Sequence, residues 1–357
     1  MRLRLMKRSL ACALAATVFL AGCGDSNTST SGANTAEGRP APPKSDFPSP
    51  EGRSLIEVVK LAVGPAPVVS PAAMVFYKGE NRYPFGVFHS DHTAVSDAQV
   101  ALYIAKVPPV KEDNGPPEEG KRPKGAVARA RTEALDAPAV GPFPAAIESL
   151  ATQPAFHAQT SSTDADAPQV VYVTKLDFPS DGEWVIAALV KEDGELRSTL
   201  LPSAVVGQFS GIPRVGEKAP LIHTPTVEDA GGDLSEITTR VPPDTQNRVD
   251  FADVVGKEPV VLLFATPQFC QSRVCGPVVD VAEQVKEAYG DKAAFIHMEI
   301  FEDNDPGKDT RPQVQAYGLP TEPWFFAIDR QGVVQTALEG AFGVDRLTQA
   351  VQEVTAE

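Results

Sequence analysis

Cys270 and Cys275, separated by four residues, are the side chains most capable of chemistry, whereas Cys12 and Cys23 lie near the N-terminus. A thiolate is a nucleophile and a ligand for soft metals, and two neighbouring thiols can form and break a disulfide. Outside the cytoplasm, two cysteines five positions apart tend to form a disulfide. The pair therefore predicts thiol–disulfide exchange, copper(I) binding or a permanent structural disulfide.

Histidines and acidic residues elsewhere in the chain predict structure rather than metal binding. His89 and His92 have the spacing of a metal pair, but their polar surroundings favour the tip of a hairpin turn. His297 lies in an apolar strand pattern and is interpreted as a structural histidine. The acidic stretch 302–307 resembles the start of a calcium loop, yet Pro306 occupies a ligand position. We predict no metal and no cofactor.

The N-terminus has the three parts of an export signal. Residues 1–22 begin with basic side chains, continue with an apolar run over 10–20 and end in two small residues. The run is shorter than the ~20 residues that span a bilayer. Leu20-Ala21-Gly22-Cys23 resembles the lipobox of bacterial lipoprotein precursors. The resemblance implies cleavage before Cys23, lipid on that cysteine, and anchoring at the extracytoplasmic face of the cell membrane.

Composition limits the remaining possibilities. The chain of 357 residues is 42% hydrophobic, enough for two globular domains with linkers. Its formal net charge of −15 would become more negative after loss of the basic signal. Such a surface repels nucleic acid, so we predict no nucleic-acid partner.

Residues 23–50 and 51–212 have different patterns. The first stretch is rich in small polar residues and proline, and predicts a flexible tether. The second alternates apolar and polar residues in short runs, as in half-buried strands, with an exposed insertion over 107–142. Its segment 178–184 resembles the corner before a late strand of immunoglobulin-like sandwiches, with Trp184 where a tyrosine often stands. The strands are predicted at 55–61, 74–77, 84–88, 99–105, 170–176, 184–190 and 196–201.

From residue 213 to 357 the pattern becomes that of an α/β domain. An apolar run over 260–265 predicts a strand buried on both faces, and apolar residues then recur at helical spacing. The predicted order is β-α-β-α-β-β-α, a sheet with helices on both faces. The later elements are strands over 294–301, 324–328 and 333–338, a short helix ending near 317 and a last helix over 344–354.

Several motifs in this part resemble the thioredoxin-like family and its peroxiredoxin relatives. They are Val215–Pro220, Phe251–Lys257, Cys270–Pro277 and Tyr317–Phe326. The resemblance implies a thioredoxin fold, a redox pair at Cys270 and Cys275, and a cis-proline at Pro323 beside an edge where a substrate segment could lie. Cysteines near a helix N-terminus suit this chemistry, since unpaired N–H groups stabilise a thiolate.

The motif departs from its relatives in ways that leave the attacking cysteine open. Pro277 suits a first helical turn, which would place Cys275 near the N-cap and Cys270 in the preceding loop. Alternatively Cys270 attacks, as in peroxiredoxins, although Pro267 replaces the Thr or Ser that peroxidases need. Copper-delivery relatives carry a histidine near the later strand, and 319–328 contains none.

We therefore predict a multi-domain, membrane-anchored lipoprotein with an N-terminal immunoglobulin-like β-sandwich followed by an α/β thioredoxin-like domain. Its expected activity is thiol–disulfide exchange with a protein thiol or disulfide partner. The competing hypothesis is a non-catalytic binding lipoprotein whose cysteines form a structural disulfide. Solvent access to the cysteine loop distinguishes the two hypotheses, because a redox pair must be reachable.

Overall fold

The computed structural model describes residues 37–109, 126–161, 168–270 and 273–356. The signal predicted over 1–22 and the lipidation site Cys23 lie outside these residues. In the described part of the chain, no helix is both long and apolar enough to cross a membrane.

Two four-stranded antiparallel sheets form the first region, which we call the sandwich. The elements are α1 (Leu55–Val59), β1 (Val68–Pro71), β2 (Gly79–Phe88), β3 (Gln99–Lys106), α2 (Ala126–Leu135), β4 (Val140–Pro144), β5 (Ala146–Ser149), β6 (Val170–Phe178), β7 (Gly182–Glu192) and β8 (Glu195–Val206). One sheet has the order β1-β2-β6-β5 and the other the order β4-β3-β7-β8.

Alternation along the strands determines what each face of a sheet contacts. On β3, Leu102 and Ile104 pack into a core shared with the facing sheet, whereas Tyr103 points the other way. Tyr103 packs in a second cluster with residues of α1 and α2, so β3 is buried on both faces. The layers are thus a pair of helices, two sheets, and then the second region, because Val171 of β6 packs with the helices of that region.

The second region contains α3 (Phe251–Val254), β9 (Val260–Phe264), α4 (Cys275–Tyr289), β10 (Ala294–Met298), α5 (Pro312–Ala316), β11 (Trp324–Ile328), β12 (Val334–Glu339) and α6 (Val344–Thr355). Its strands form a mixed sheet with the order β10-β9-β11-β12. Strands β9 and β10 are parallel, and β11 is antiparallel to both β9 and β12. This order and connectivity are those of the thioredoxin fold, so the predicted thioredoxin-like domain is confirmed.

The chain from Thr35 onward is one compact unit, and the sandwich and the thioredoxin-like domain meet over a close interface. Arg82 of β2 donates hydrogen bonds to the carbonyl oxygens of Glu339, the last residue of β12, and Ala341, which follows it. A Cβ on Gly340 would overlap with the Ala72 carbonyl oxygen, and one on Gly343 would overlap with that of Ser149. Only glycine permits this approach of the two backbones.

Two of the predicted strands are wrong. Leu55–Val59 is a helix, because the Glu57 carboxylate accepts the Ser54 N–H at 2.8 Å and stabilises the first turn. Residues 74–77 form no strand, because the backbone N–H groups of Met74 and Val75 donate instead to the Glu339 carboxylate, each at 3.0 Å.

Two segments predicted to be exposed or flexible are structured where the chain is described. The insertion expected over 107–142 contains α2, whose Ala130 and Ala134 are buried against β3 and β7, and it reaches into β4. In the tether expected over 23–50, Phe47 is buried in the same cluster as Ala130. Apolar contact with the outer face of the sheet explains both differences.

Candidate functional site

The cysteine loop runs from the end of β9 to the start of α4. The Arg273 N–H donates to the Cys270 carbonyl oxygen at 3.2 Å, and Arg273 itself has a positive φ of 58°. Helix α4 begins at Cys275, whose N–H donates to the Cys270 sulfur at 3.3 Å. The Cys270 sulfur therefore lies at the N-terminal end of a 15-residue helix, where N–H groups and the helix dipole favour negative charge.

The two thiols differ in exposure. Cys270 is half-buried, whereas Cys275 is fully buried. Burial raises the pKa of Cys275 well above its ordinary value, and the hydrogen bond to Cys270 and the charge there raise it further. A backbone hydrogen bond with Thr266 offsets this in part. The arrangement gives one reachable sulfur supported by a helix N-terminus and one sheltered thiol that keeps its proton.

A carboxyl group that the sequence reasoning missed lies beside the pair. Burial, together with the charges of Cys270 and Glu299, raises the pKa of Glu322 to about 7. The Glu322 charge in turn raises the pKa of Cys275. Glu322 precedes Pro323, and the peptide bond between them is cis. Its position one residue before the family's proline was the only signal in the sequence.

Two series of buried hydrogen bonds hold the segment that follows β9 and leads into the cysteine loop. His297 donates from one ring nitrogen to the Ala265 carbonyl oxygen at 3.0 Å, and its other nitrogen lies 2.8 Å from the Asp244 carboxylate. The Asp244 charge raises the pKa of His297 to about 9 despite burial, and His297 lowers that of Asp244 to about 2. Three residues further on, the Gln268 N–H donates to Thr239 Oγ1, which donates to Glu299.

The sandwich contributes a segment to the other side of the cysteine helix. Residues 150–161, between β5 and β6, cross α4, and we call them the strap. In the strap, the Ala158 N–H donates to Asp280 of α4 at 3.2 Å, and the Phe156 carbonyl oxygen accepts from Arg240 at 2.7 Å. Arg240 and Asp280 form a buried ion pair at 2.9 Å. A Cβ on Gly276 would lie 3.0 Å from the Thr160 carbonyl oxygen.

The structure brings Cys270, Cys275 and Glu322 together, with Pro323 next to Glu322 in the chain, and leaves His89 and His92 apart. His89 and His92 lie in the exposed turn after β2, where the His92 N–H donates to the His89 carbonyl oxygen. Throughout the described residues, no cluster of three or more His, Cys, Asp or Glu side chains could hold a metal ion.

Three solved structures are similar to part of this chain. The first is a proposed protein disulfide isomerase from Bacteroides thetaiotaomicron, with 18% sequence identity and a TM-score of 0.31; the match covers 41% of this chain and 92% of that one. The second is a proposed thiol:disulfide interchange protein DsbE from Chlorobium tepidum, with 20% identity and a TM-score of 0.27, covering 40% of this chain and 99% of that one. The third is a thiol:disulfide interchange protein of the thioredoxin family from Chlorobium tepidum TLS, with 16% identity and a TM-score of 0.29, covering 40% of this chain and 97% of that one. No family model and no curated protein matches the chain. The thioredoxin-like assignment rests on the strand order and connectivity given above.

Proposed function

We propose that this chain is a thiol–disulfide oxidoreductase that acts through Cys270 and Cys275 on protein thiols or disulfides. One observation carries the proposal: the half-buried Cys270 sulfur accepts the N–H of the first residue of α4, while Cys275 behind it is fully buried. A permanent structural disulfide does not need a solvent-accessible sulfur at a helix N-terminus, whereas a cysteine pair that exchanges disulfides does.

The geometry supports Cys270 as the attacking group. Its thiolate attacks one sulfur of a client disulfide, the client S–S bond breaks, and the second client sulfur leaves as a thiolate that takes up a proton. Cys275 then loses its proton and attacks the Cys270 sulfur. The mixed disulfide breaks, the Cys270–Cys275 bond forms, and the client leaves as a dithiol. The client gains two electrons and two protons, which the cysteine pair loses; the reverse sequence oxidises a client dithiol.

Glu322 supports the second step as a proton acceptor. Its pKa of about 7 lies near neutral pH, and its charge interacts with both cysteines. A group with a pKa near the working pH transfers protons most effectively. In our proposal Glu322 receives the proton of Cys275 as that thiol becomes a nucleophile, and the substrate edge lies beside Pro323.

The remaining parts of the proposal concern location and the first domain. We propose that lipid on Cys23 anchors the chain at the extracytoplasmic face of the membrane, on the strength of the signal and lipobox pattern. We also propose that the sandwich is immunoglobulin-like. Its two strand orders correspond to the A-B-E-D and C′-C-F-G sheets of that fold, and Trp184 donates to the Ser180 carbonyl oxygen at 3.0 Å, as a corner tyrosine would.

The test combines a reduction potential with trapping of an intermediate. We expect the Cys270–Cys275 pair to equilibrate with glutathione buffers at a potential between ~−120 and ~−270 mV, the range of dedicated exchange proteins. Cys275→Ser should accumulate a mixed disulfide with an oxidised client, and the matched variant Cys270→Ser should not. A potential below ~−300 mV with no trapped intermediate would instead identify a structural disulfide in a binding lipoprotein.

A further inference from the structure

A cavity of about 670 Å³ lies between the sandwich and the cysteine loop. Its floor is apolar and buried, and includes Phe85 of β2 and Val170 of β6. On the cysteine side the wall is formed by Arg273 and Val274, two residues of the cysteine loop itself. The volume falls within the ~300–1,000 Å³ of ligand-binding clefts.

The rim of this cavity is polar and positively charged on the side of the redox site. Arg273 is exposed there, and within the described ranges no carboxylate forms an ion pair with it. His89, Asp91 and His92 line the cavity from the sandwich, in the turn after β2. Val68 of β1 also faces the cavity, with 55% of its surface exposed. An exposed valine beside an apolar floor is a place where a partner's apolar side chain gains by burial.

The cavity is close enough to Cys270 to be reached by residues that flank a client cysteine. The Arg273 N–H lies 3.2 Å from the Cys270 carbonyl oxygen, so the backbones of the two residues are in direct contact. An extended chain covers ~3.3–3.6 Å per residue. A client residue two positions from the attacked cysteine therefore reaches Arg273, and the next residues enter the cavity.

We propose that this cavity, formed jointly by the sandwich and the cysteine loop, binds the client segment next to its reactive cysteine, selecting an apolar side chain for the floor and a carboxylate for Arg273. The inference rests on the proposed thiol–disulfide exchange and adds a partner chemistry to it. The sandwich then contributes half of the client-binding surface.

The test uses two synthetic peptides whose single cysteine carries a coloured aromatic disulfide. One peptide has Leu and Glu at the second and third positions from the cysteine, and the other has Gly at both. Release of the aromatic thiolate by the reduced full chain gives the second-order rate constant. We expect the Leu-Glu peptide to react about tenfold faster. Two substitutions on β1 change the lining of the cavity: Val68→Asp makes it polar and Ser70→Trp fills it. Both should remove the preference for the Leu-Glu peptide while leaving the rate with glutathione disulfide unchanged.

Val63→Asp is the matched control, since Val63 is 71% exposed and lies away from the cavity, and it should keep the preference. Equal rates for the two peptides, or a preference that survives both substitutions at the cavity, would overturn the inference. An equal slowing of glutathione disulfide in Val68→Asp would overturn it in favour of a small-molecule site. A wild-type chain that reacts with none of the three disulfides would instead refute the exchange activity itself.

Discussion

The interiors of the sandwich and of the thioredoxin-like domain contain different kinds of side chain. The core between the two sheets of the sandwich is apolar, with stacked or tilted aromatic pairs such as Phe85–Tyr172 and Phe76–Tyr83. The other domain buries charged side chains around its cysteine loop: Arg240, Asp244, Asp280, His297 and Glu299. Each buried ion costs several kcal/mol unless it is paired, so such groups need a compensating geometry or a function.

This difference indicates which interactions hold each domain in its structure. Apolar packing fixes the sandwich as a rigid body, whereas hydrogen-bonded charges fix the strand end and the helix between which the cysteine loop lies. Perturbed titratable groups cluster at functional sites more often than elsewhere. The chain contains one tryptophan in each region, Trp184 and Trp324, so Trp184→Phe and Trp324→Phe backgrounds report on each region separately by fluorescence.

The largest effect on stability should come from breaking the Arg240–Asp280 pair. Arg240→Met leaves the Asp280 carboxylate buried without its cation, and we expect the free energy of unfolding in urea to fall by about 3–5 kcal/mol. The matched control is Arg131→Met, which removes an ion pair with Glu183 at the surface of the sandwich and should cost less than about 1 kcal/mol. Equal losses in the two variants would show that burial of charge does not distinguish the two regions.

A smaller loss is expected from a polar group inside the sandwich. The Tyr172 hydroxyl accepts from the Ala98 N–H at 3.1 Å and donates to the Val95 carbonyl oxygen at 2.9 Å, all buried. Tyr172→Phe leaves both backbone groups without this partner and should cost about 1–3 kcal/mol. Because this interior contains no titrating charge that the substitution affects, the loss should be the same at pH 5 and pH 8 when followed through Trp184. A loss that changes with pH would show that a titrating group does contribute to the interior of the sandwich.

The smallest effect concerns Glu322 and depends on pH. Its folded-state pKa of about 7 exceeds the ordinary 4.5, so the folded state holds the proton more tightly than the unfolded state. Titration of Glu322 should therefore lower the free energy of unfolding as pH rises from 4.5 through 7. Glu322→Gln should remove this pH dependence of the free energy of unfolding. It should also lower the pKa of Cys275, which the ultraviolet absorbance of the thiolate measures. An unchanged slope would place the titration elsewhere.

Sequence patterns predicted the thioredoxin-like domain well because its elements carry strong local signals. The apolar run that became β9 and the helical spacing that became α4 need no distant partner to be recognised. In the sandwich, α1 was missed although Ser54 and Glu57 form a capping pattern, because a five-residue segment that is mostly apolar suits a buried strand as well as a helix. Short, proline-containing strands such as β4 were missed because they have no clear period.

The site was predictable only in its cysteines and its proline. Asp280 gave a signal that was not used, since a carboxylate on the apolar face of α4 needs a cation. Its partners Arg240 and Ala158 could not be inferred, because they lie 40 and 122 positions away in the sequence and meet it only through the tertiary fold. The same holds for the cavity beside Arg273, whose two sides come from different regions.

The strap also sets an order of events during synthesis. Ala158 precedes Asp280, its hydrogen-bond partner on α4, by 122 residues. At ~5–20 residues per second, the strap is made roughly 6–24 s before that partner exists. We expect this N-terminal segment to acquire its final structure only after the C-terminal domain has formed. A nascent chain that stops before α4 would therefore hold the strap as an unpaired loop, open to proteases that the finished protein resists.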